Sequence, residues 1–272
     1  MSIEASFVWA SEADMDRALD PQTERRTALV TGATSGIGRA TAIALSDGGW
    51  WVLAVGLDAD RGAAVEAVLR PRTGGRFVQA DVTEAGVPEQ LVEACRQETG
   101  RLDLLVNNAG IHFLAPLDEL DMTRFDHLMA VNLRAPVALA RAALRVMLEQ
   151  GRGTIINVAS EAGLVAVPGQ PAYNISKAGL IMLTRSIAAD YAARGIRAVS
   201  VCPGTTRTPL VEQAIASAPD PAAHERMLAE RRPARRLGRV EEIAAAIVFA
   251  ASDAVDYLNG TELVVDGGYT VV

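Results

Sequence analysis

Tyr173 and Lys177 stand four positions apart in a stretch that continues with helix-forming residues. This spacing places both side chains on one face of a helix, one turn apart. An ammonium beside a phenol stabilises the phenolate, so we expect the pKa of Tyr173 to fall below its reference value of about 10. Such a phenol can exchange a proton with a substrate oxygen. A surface turn is the commoner setting for this pair, so the pair alone does not establish catalysis.

A glycine-rich turn stands between a short β-type run at 27–30 and a helix predicted over 39–46. Its glycines are Gly32, Gly36 and Gly38, in the spacing G-x-x-x-G-x-G. Glycines let a backbone approach a pyrophosphate, and the N-terminus of a helix supplies N–H donors and a positive dipole end. The context of strand, turn and helix therefore favours a dinucleotide site. A plain tight turn is the alternative.

Two acidic residues follow the next two predicted strands. Asp58 comes after the strand at 50–55, about twenty positions past the glycines, where it would accept hydrogen bonds from an adenosine ribose. It is equally placed to cap the helix predicted over 59–69. Asp81 ends the strand at 76–80 and would either meet an adenine amino group or cap a turn.

Polar residues also follow the fourth and fifth predicted strands, at 102–106 and 154–158. After the fourth strand, Asn108 would either line a cofactor crevice or satisfy nearby backbone groups. After the fifth, Ser160 lies on the edge where doubly wound sheets bind ligands, although serine is common in loops. Between these strands, 121–149 reads as one long helix with Asn132 near its middle, which is an unfavourable helix residue. Asn132 is either a buried amide bonded to a strand or a local break that holds a water near the site.

Strands and helices alternate through the rest of the chain, with further strands at 197–201 and 262–265. The pattern predicts an α/β fold: a single-domain, Rossmann-like, doubly wound, seven-stranded parallel sheet with helices on both faces. The polar connection at 209–236 is typical of a mobile lid.

Composition narrows the function further. The chain has 272 residues, half of them apolar, and a formal net charge of −7, which argues against a general nucleic-acid binder. Cys95 and Cys202 match no ligand spacing, so we expect buried free thiols in a reducing cytosol and no metal site. The apolar run 243–251 is too short to span a bilayer, and residues 1–24 lack the pattern of a signal peptide. We expect those first residues to be a tail, either disordered or ordered by a neighbouring subunit.

The motifs together identify residues 25–272 as resembling the short-chain dehydrogenase/reductase superfamily. They stand in the family's order: Thr31-Gly32-x-x-x-Gly36-x-Gly38, Asp81, Asn107-Asn108-Ala109-Gly110, Asn132, Ser160, Tyr173-x-x-x-Lys177, Pro203-Gly204 and Val265-Asp266-Gly267-Gly268. The resemblance implies a catalytic domain over 25–272, a cytoplasmic location and a homotetramer with the long helices and the C-terminal strand at its interfaces.

The resemblance also implies roles for the matched residues. Tyr173 is the general acid/base, Lys177 lowers its pKa and bonds the nicotinamide ribose, Ser160 holds the substrate oxygen, and Asn132 positions a water that relays protons past Lys177. The implied cofactor-binding residues are Gly32, Ser35, Gly36, Ile37, Gly38, Asp58, Asp81, Val82, Asn108, Ala109, Gly110, Tyr173, Lys177, Pro203, Gly204, Thr206 and Thr208.

The cofactor preference departs from the family's usual signals. Family members that prefer NAD usually carry an aspartate at the end of the second strand, where this chain has Gly56. The positions that are basic in many NADP-dependent members are Ser35 and Leu57. We predict NAD because Asp58 would repel a 2′-phosphate. NADP stays the alternative, with Arg39 or Arg61 as the phosphate ligand.

The substrate class is predicted from two segments, 201–209 and 236–244, which look like those of members acting on small hydroxy acids and sugar acids. Arg207 would pair with a substrate carboxylate, or is a solvated charge of the lid. We predict oxidation of a secondary alcohol in a small hydroxy acid, sugar acid or polyol. The alternatives are an NADPH-dependent 3-oxoacyl-thioester or ketone reductase and a non-catalytic nucleotide-binding regulatory protein. The latter is disfavoured because the set Asn132, Ser160, Tyr173 and Lys177 is intact.

Overall fold

A central parallel sheet organises the chain. The computed structural model describes residues 25–272, so the tail expected at 1–24 lies outside the described residues. The strands are β1 (Thr27–Thr31), β2 (Trp51–Gly56), β3 (Arg76–Gln79), β4 (Leu104–Asn107), β5 (Gly153–Val158), β6 (Ile196–Pro203) and β7 (Thr261–Val265). They form one sheet of seven parallel strands, as predicted, and the strand order is β3-β2-β1-β4-β5-β6-β7.

Helices connect successive strands and cover both faces of the sheet. Their bounds are α1 (Gly36–Asp47), α2 (Ala59–Thr73), α3 (Val87–Thr99), α4 (Met122–Met129), α5 (Ala135–Gln150), α6 (Pro171–Tyr191), α7 (Pro209–Ala216), α8 (Pro221–Glu230) and α9 (Val240–Ala251). None of the helices in residues 25–272 is long and apolar enough to cross a membrane.

Each face of the sheet has its own core. On one side, Leu29 and Leu105 of the sheet pack with Leu91 of α3 and Leu139 of α5. On the other, Val30 of β1 belongs to a cluster that includes Leu45 of α1, Leu69 of α2 and Ile247 of α9. The inner strands β1, β4, β5 and β6 are buried along their whole length and are mainly apolar, because a parallel sheet is covered on both faces.

The helix predicted over 121–149 is interrupted. α4 and α5 are separated by one π-helical turn, Ala130–Arg134, and Asn132 lies in that turn with its side chain buried. Parts of both interpretations of Asn132 hold: it is a buried amide bonded to backbone, at Ile111 after β4, and it stands at a local break of the helix. Such turns are frequent at functional sites.

The segment predicted as a lid, 209–236, is largely helical, because most of it folds as α7 and α8. Each helix begins with a proline just after a capping side chain: Thr208 accepts a hydrogen bond from the Val211 N–H and Asp220 one from the Ala223 N–H. Caps of this kind satisfy the free N–H groups at a helix start.

The carboxyl ends of β1, β4, β5 and β6 all meet at one edge of the sheet. β1 and β4 are neighbours there although their connections leave in opposite directions, which makes a crevice at the strand ends. Four of the residues singled out in the sequence follow these strands: Gly32, Asn108, Ser160 and Gly204.

Candidate active site

A cavity of about 540 Å³ opens at this edge of the sheet. Of the predicted site residues, it brings together Ile37, Asn108, Gly110, Ser160, Tyr173, Lys177, Pro203, Gly204, Thr206 and Thr208 in its lining. The remaining predicted residues, Gly32, Ser35, Gly36, Gly38, Asp58, Asp81, Val82, Ala109 and Asn132, lie outside the lining. Several of them, including Gly32 and Asn132, lie next to residues of the lining.

Tyr173 and Lys177 lie in the first two turns of α6, one turn apart as predicted. Lys177 is buried and donates a hydrogen bond from Nζ to the Val158 carbonyl at 2.8 Å. The same ammonium lies 5.5 Å from the centre of the Tyr173 ring. Ser160 starts a short 3₁₀ turn directly after β5, and its hydroxyl accepts a hydrogen bond from the Ala162 N–H at 3.1 Å. The hydroxyl, phenol and ammonium therefore share one wall of the cavity.

The predicted fall in the pKa of Tyr173 does not occur in the chain alone. Burial raises the pKa of Tyr173 to about 12, with a hydrogen bond from Ser160 opposing the rise and the charge of Glu161 adding to it. Burial also lowers the pKa of Lys177 to about 8. The prediction was wrong because it weighed the neighbouring cation and omitted the cost of burying both charged forms.

Asn132 is fixed by hydrogen bonds that require the π-helical turn. Its Oδ1 accepts from the Ile111 N–H at 2.8 Å, and its Nδ2 donates to the Ile111 carbonyl at 2.9 Å and to Ser176 Oγ at 3.3 Å. A Cβ built on Gly110 would lie 3.4 Å from Asn132 Oδ1 and 3.6 Å from Lys177 Nζ. Asn132 and Lys177 therefore converge on the same glycine.

The glycine-rich turn forms an open cradle next to Asn108. Gly32 and Gly36 have φ values of +63° and +54°, which favour glycine. A Cβ on Gly38 would collide with the Gly32 carbonyl and the Asn108 amide. Asn108 Nδ2 donates to the carbonyls of Thr31 at 2.8 Å and Gly32 at 3.3 Å, which ties the turn to the end of β4.

The start of α1 is left free for an anion. Its N-cap, Ser35, makes no side-chain capping bond, and the first turn of the helix carries no acidic residue. Across the gap, a Cβ on Gly36 would lie 3.3 Å from Thr208 Cγ2, so the loop after β6 closes over the turn. Free N–H donors at a helix N-terminus beside an uncrowded backbone fit the diphosphate of a dinucleotide.

The two predicted adenosine ligands act as caps in this structure. Asp58 caps α2, accepting from the Arg61 N–H at 2.9 Å and pairing with Arg61 Nε at 3.2 Å. Asp81 accepts from the N–H of Thr83 at 2.8 Å and from its hydroxyl at 2.7 Å, and these bonds lower the pKa of Asp81. Val82, beside Asp81, is buried.

Arg207 does not face the cavity as one of the predictions required. Its guanidinium pairs with Glu212 at 2.6 Å and with Glu225, so it joins α7 to α8. The lid residues that line the cavity come from the start of α7, from α8 and from the two residues after α8: Leu210, Val211, His224, Met227, Leu228, Arg231 and Arg232.

An ion pair missed in the sequence crosses the cavity wall between Glu161 and Arg232. Arg232 Nη2 donates to Glu161 Oε1 at 2.7 Å, and both residues are buried. Arg232 also donates to the Leu228 carbonyl at 2.6 Å and to Thr205 Oγ1. Nothing in the local sequence indicates a pairing across 71 positions. In the described part of the chain, no group of three His, Cys, Asp or Glu side chains could hold a metal ion.

Comparisons with known proteins agree with this arrangement. A family model described as Enoyl-(Acyl carrier protein) reductase matches residues 32–270. D-threitol dehydrogenase of Mycolicibacterium smegmatis is 38% identical over 263 residues, which is 96% of this chain and 98% of that protein. Cis-4-hydroxycyclohexanecarboxylate dehydrogenase of Sinomonas cyclohexanicum is 43% identical over 250 residues, or 91% and 97% of the two chains.

A solved structure described as a short chain dehydrogenase/reductase family protein has a TM-score of 0.81 at 37% identity, covering 92% of this chain and 99% of that one. Fold, ordered motifs and family match agree over almost the whole described chain. The chain therefore belongs to the short-chain dehydrogenase/reductase superfamily and is an NAD(P)-dependent oxidoreductase that interconverts a secondary alcohol and a ketone.

Proposed function

We propose that the chain oxidises a small secondary alcohol with NAD, using Tyr173 as the general base. The observation that carries the proposal is that Ser160, Tyr173 and Lys177 line one cavity together with Asn108, which anchors the glycine-rich turn. An acid/base group and a dinucleotide cradle in one cavity are what hydride transfer from an alcohol requires.

The residues of this chain manage the proton and the orientation. When bound, the dinucleotide supplies the acceptor for the hydride on the alcohol carbon. The phenol oxygen of Tyr173 takes the hydroxyl proton, and Ser160 Oγ holds the same substrate oxygen. Lys177, 5.5 Å from the Tyr173 ring centre, is the cation that stabilises the phenolate. Asn132, fixed against Ile111, orders the path by which the proton leaves past Lys177.

The preference for NAD over NADP rests on the end of β2. Gly56 cannot carry a side chain, since a Cβ there would lie 2.6 Å from Thr34 Cγ2. The nearest carboxylate is Asp58, and Arg61, one of the two cations considered for a 2′-phosphate, is already paired with it. A 2′-phosphate would therefore lie near the Asp58 carboxylate, while the guanidinium of Arg61 is already paired with that carboxylate.

The substrate class is inferred from the relatives and the lid. Two relatives are named for a polyol and for a cyclic hydroxy acid, which agrees with a small hydroxy acid, sugar acid or polyol. Arg231, on the cavity side of the lid, is the cation that a carboxylate would meet. Reduction of a ketone or 3-oxoacyl thioester is the second candidate, and the matching family model supports it only in being described as a reductase of acyl-carrier-protein substrates, of the enoyl class.

We also infer a cytoplasmic homotetramer. Large apolar side chains are exposed on the long helix α6, on α9 and on the C-terminal strand β7: Met182 is 56%, Phe249 51% and Val264 41% exposed. Exposed apolar groups of this size mark interaction surfaces when they cluster. Light scattering on the purified protein measures the state directly, and a monomer at micromolar concentration would contradict the inference.

The decisive test of catalysis is Tyr173→Phe. We expect the variant to bind NADH as the parent does, measured by nicotinamide fluorescence, and to lose roughly 10²–10⁴-fold in kcat. Separate titrations with NADH and NADPH test the cofactor, and we expect tighter binding of NADH. A Tyr173→Phe variant with near-parental turnover would remove Tyr173 from the mechanism. Failure to bind either cofactor would favour the non-catalytic alternative.

A further inference from the structure

An ordered chain of hydrogen bonds runs along the cavity wall and ends at His112. Asn174 Nδ2 donates to the Val167 carbonyl at 3.0 Å, Gln170 Nε2 donates to Asn174 Oδ1 at 3.3 Å, and Gln170 Oε1 lies 2.6 Å from His112 Nε2. A backbone carbonyl only accepts, so the amide nitrogen of Asn174 must face it. With Asn174 oriented in this way, only one orientation of the Gln170 amide completes the chain of hydrogen bonds to His112.

The direction of this chain fixes the tautomer of His112. Gln170 presents its oxygen to the ring, so His112 Nε2 must carry the hydrogen and donate it. In a neutral imidazole the other nitrogen, Nδ1, is then an acceptor. Among residues 25–272, no hydrogen-bond partner is recorded for His112 Nδ1.

His112 lies against the proposed general base. Its ring packs edge-on to Tyr173, with the ring centres 4.9 Å apart and an angle of 89° between the planes. Both side chains line the cavity, together with Ser160. A substrate whose carbinol oxygen is held by Tyr173 and Ser160 therefore extends past the histidine.

We propose that His112 determines substrate specificity by accepting, at Nδ1, a hydrogen bond from a second hydroxyl group of the substrate. The inference rests on the proposed function of Tyr173 and names its preferred substrates as diols and polyols. A hydroxyl can donate to Nδ1, whereas a carboxylate brings only acceptors and an alkyl group leaves the nitrogen without a partner. Gln170 and Asn174 are positioning residues because they act through the ring.

The tautomer can be measured directly by NMR. The chain contains three histidines, so ¹⁵N-labelled histidine gives few ring signals, and His112→Phe identifies those of His112. We expect long-range ¹H–¹⁵N correlations at pH 8 to show a protonated Nε2 and an unprotonated Nδ1. Gln170→Leu should convert this signature to a mixture of tautomers. A parent protein with the hydrogen on Nδ1 overturns the proposal whatever its activity.

Specificity is tested with three probes: 2,3-butanediol, 2-butanol and 3-hydroxybutyrate. We expect the parent to have the highest kcat/KM for the diol. His112→Phe should lower the ratio of the diol value to the 2-butanol value by roughly 10- to 100-fold, whatever common loss it causes for both substrates through its contact with Tyr173. Gln170→Leu should lower the diol value by a smaller factor.

The control is His127→Phe, which replaces an exposed histidine of α4 outside the cavity lining and should change none of the three values. If the parent prefers 3-hydroxybutyrate, the cavity selects a carboxylate over a second hydroxyl group and the inference fails. If His112→Phe leaves the ratio of diol to 2-butanol intact, the inference fails while the proposed function stands. If the parent oxidises none of the three, the proposed substrate class fails.

Discussion

Loss of the buried ion pair between Glu161 and Arg232 should destabilise the fold, and the size of the loss should depend on pH. The two side chains are 9% and 3% exposed, and the atoms that join them are 2.7 Å apart. Arg232→Met removes the cation and leaves the carboxylate buried, which costs roughly 3–5 kcal/mol when the survivor stays charged. The variant also loses the donors to the Leu228 carbonyl and to Thr205.

Protonation of Glu161 removes most of the cost of burying it in Arg232→Met, because the carboxyl is then neutral. Burial raises the pKa of Glu161 to about 7 from its ordinary value of 4.5, and the charge of Arg232 opposes the rise. Arg232→Met therefore raises this pKa further. Because the native state then binds more protons than the unfolded state, the free energy of unfolding falls as pH rises from the unfolded to the folded pKa. In the variant the fall continues above pH 7, at up to about 1.4 kcal/mol per pH unit.

Urea unfolding at pH 5.5, 7.0 and 8.5, at equal protein concentration, measures this difference. We expect a gap between the parent and Arg232→Met of about 1–2 kcal/mol at pH 5.5, from the lost hydrogen bonds. The gap should widen by more than about 1 kcal/mol between pH 7.0 and 8.5. The control, Glu161→Gln combined with Arg232→Met, lacks this carboxyl, so its gap from the parent should not widen between pH 7.0 and 8.5 as that of Arg232→Met does. A gap that is the same at all three pH values would refute the reasoning.

Three further substitutions test other parts of the site. Gly38→Ala should abolish NADH binding in fluorescence titrations, because the new Cβ collides with the rigid Gly32 carbonyl. Asn132→Leu should lower the free energy of unfolding by about 1–3 kcal/mol in urea, because the Ile111 N–H loses its acceptor. Ser160→Ala should lower kcat/KM for the alcohol without changing the Kd of NADH, and a changed Kd would place Ser160 in the cofactor site.

The sheet could be predicted because its inner strands are mainly apolar and fully buried. Runs such as 104–107 and 153–158 are buried on both faces and need no information from distant residues to be recognised. The residues that follow the strands then predicted where most of the cavity lies. The caps of the lid helices were also readable, since Thr208-Pro209 and Asp220-Pro221 are typical helix starts. The polar composition of the segment was given too much weight.

Tertiary hydrogen bonds account for what the sequence could not predict. Within 122–150 the sequence does offer one sign of the interruption, since Pro136 cannot donate to the carbonyl of Asn132. The bonds from Asn132 to Ile111, which hold the widened turn, are visible only in the folded chain. Arg207 has the charge to bind a carboxylate, yet Glu212 and Glu225 occupy it. Charge and spacing identify candidates, whereas the partner of each charge is set by the folded chain.

The protonation state of Tyr173 also depends on the folded chain and not on charge and spacing alone, and it gives a last prediction. With a pKa of about 12, Tyr173 is almost entirely protonated in the chain alone, which is the form that donates a proton to a ketone oxygen. Its base form increases by up to tenfold per pH unit below that pKa. Alcohol oxidation should therefore gain in kcat/KM between pH 7 and 10, while ketone reduction should not. A flat profile of kcat/KM at saturating dinucleotide would mean that the pKa of Tyr173 lies below 7 in the enzyme–cofactor complex, so that spacing alone had indicated the correct direction.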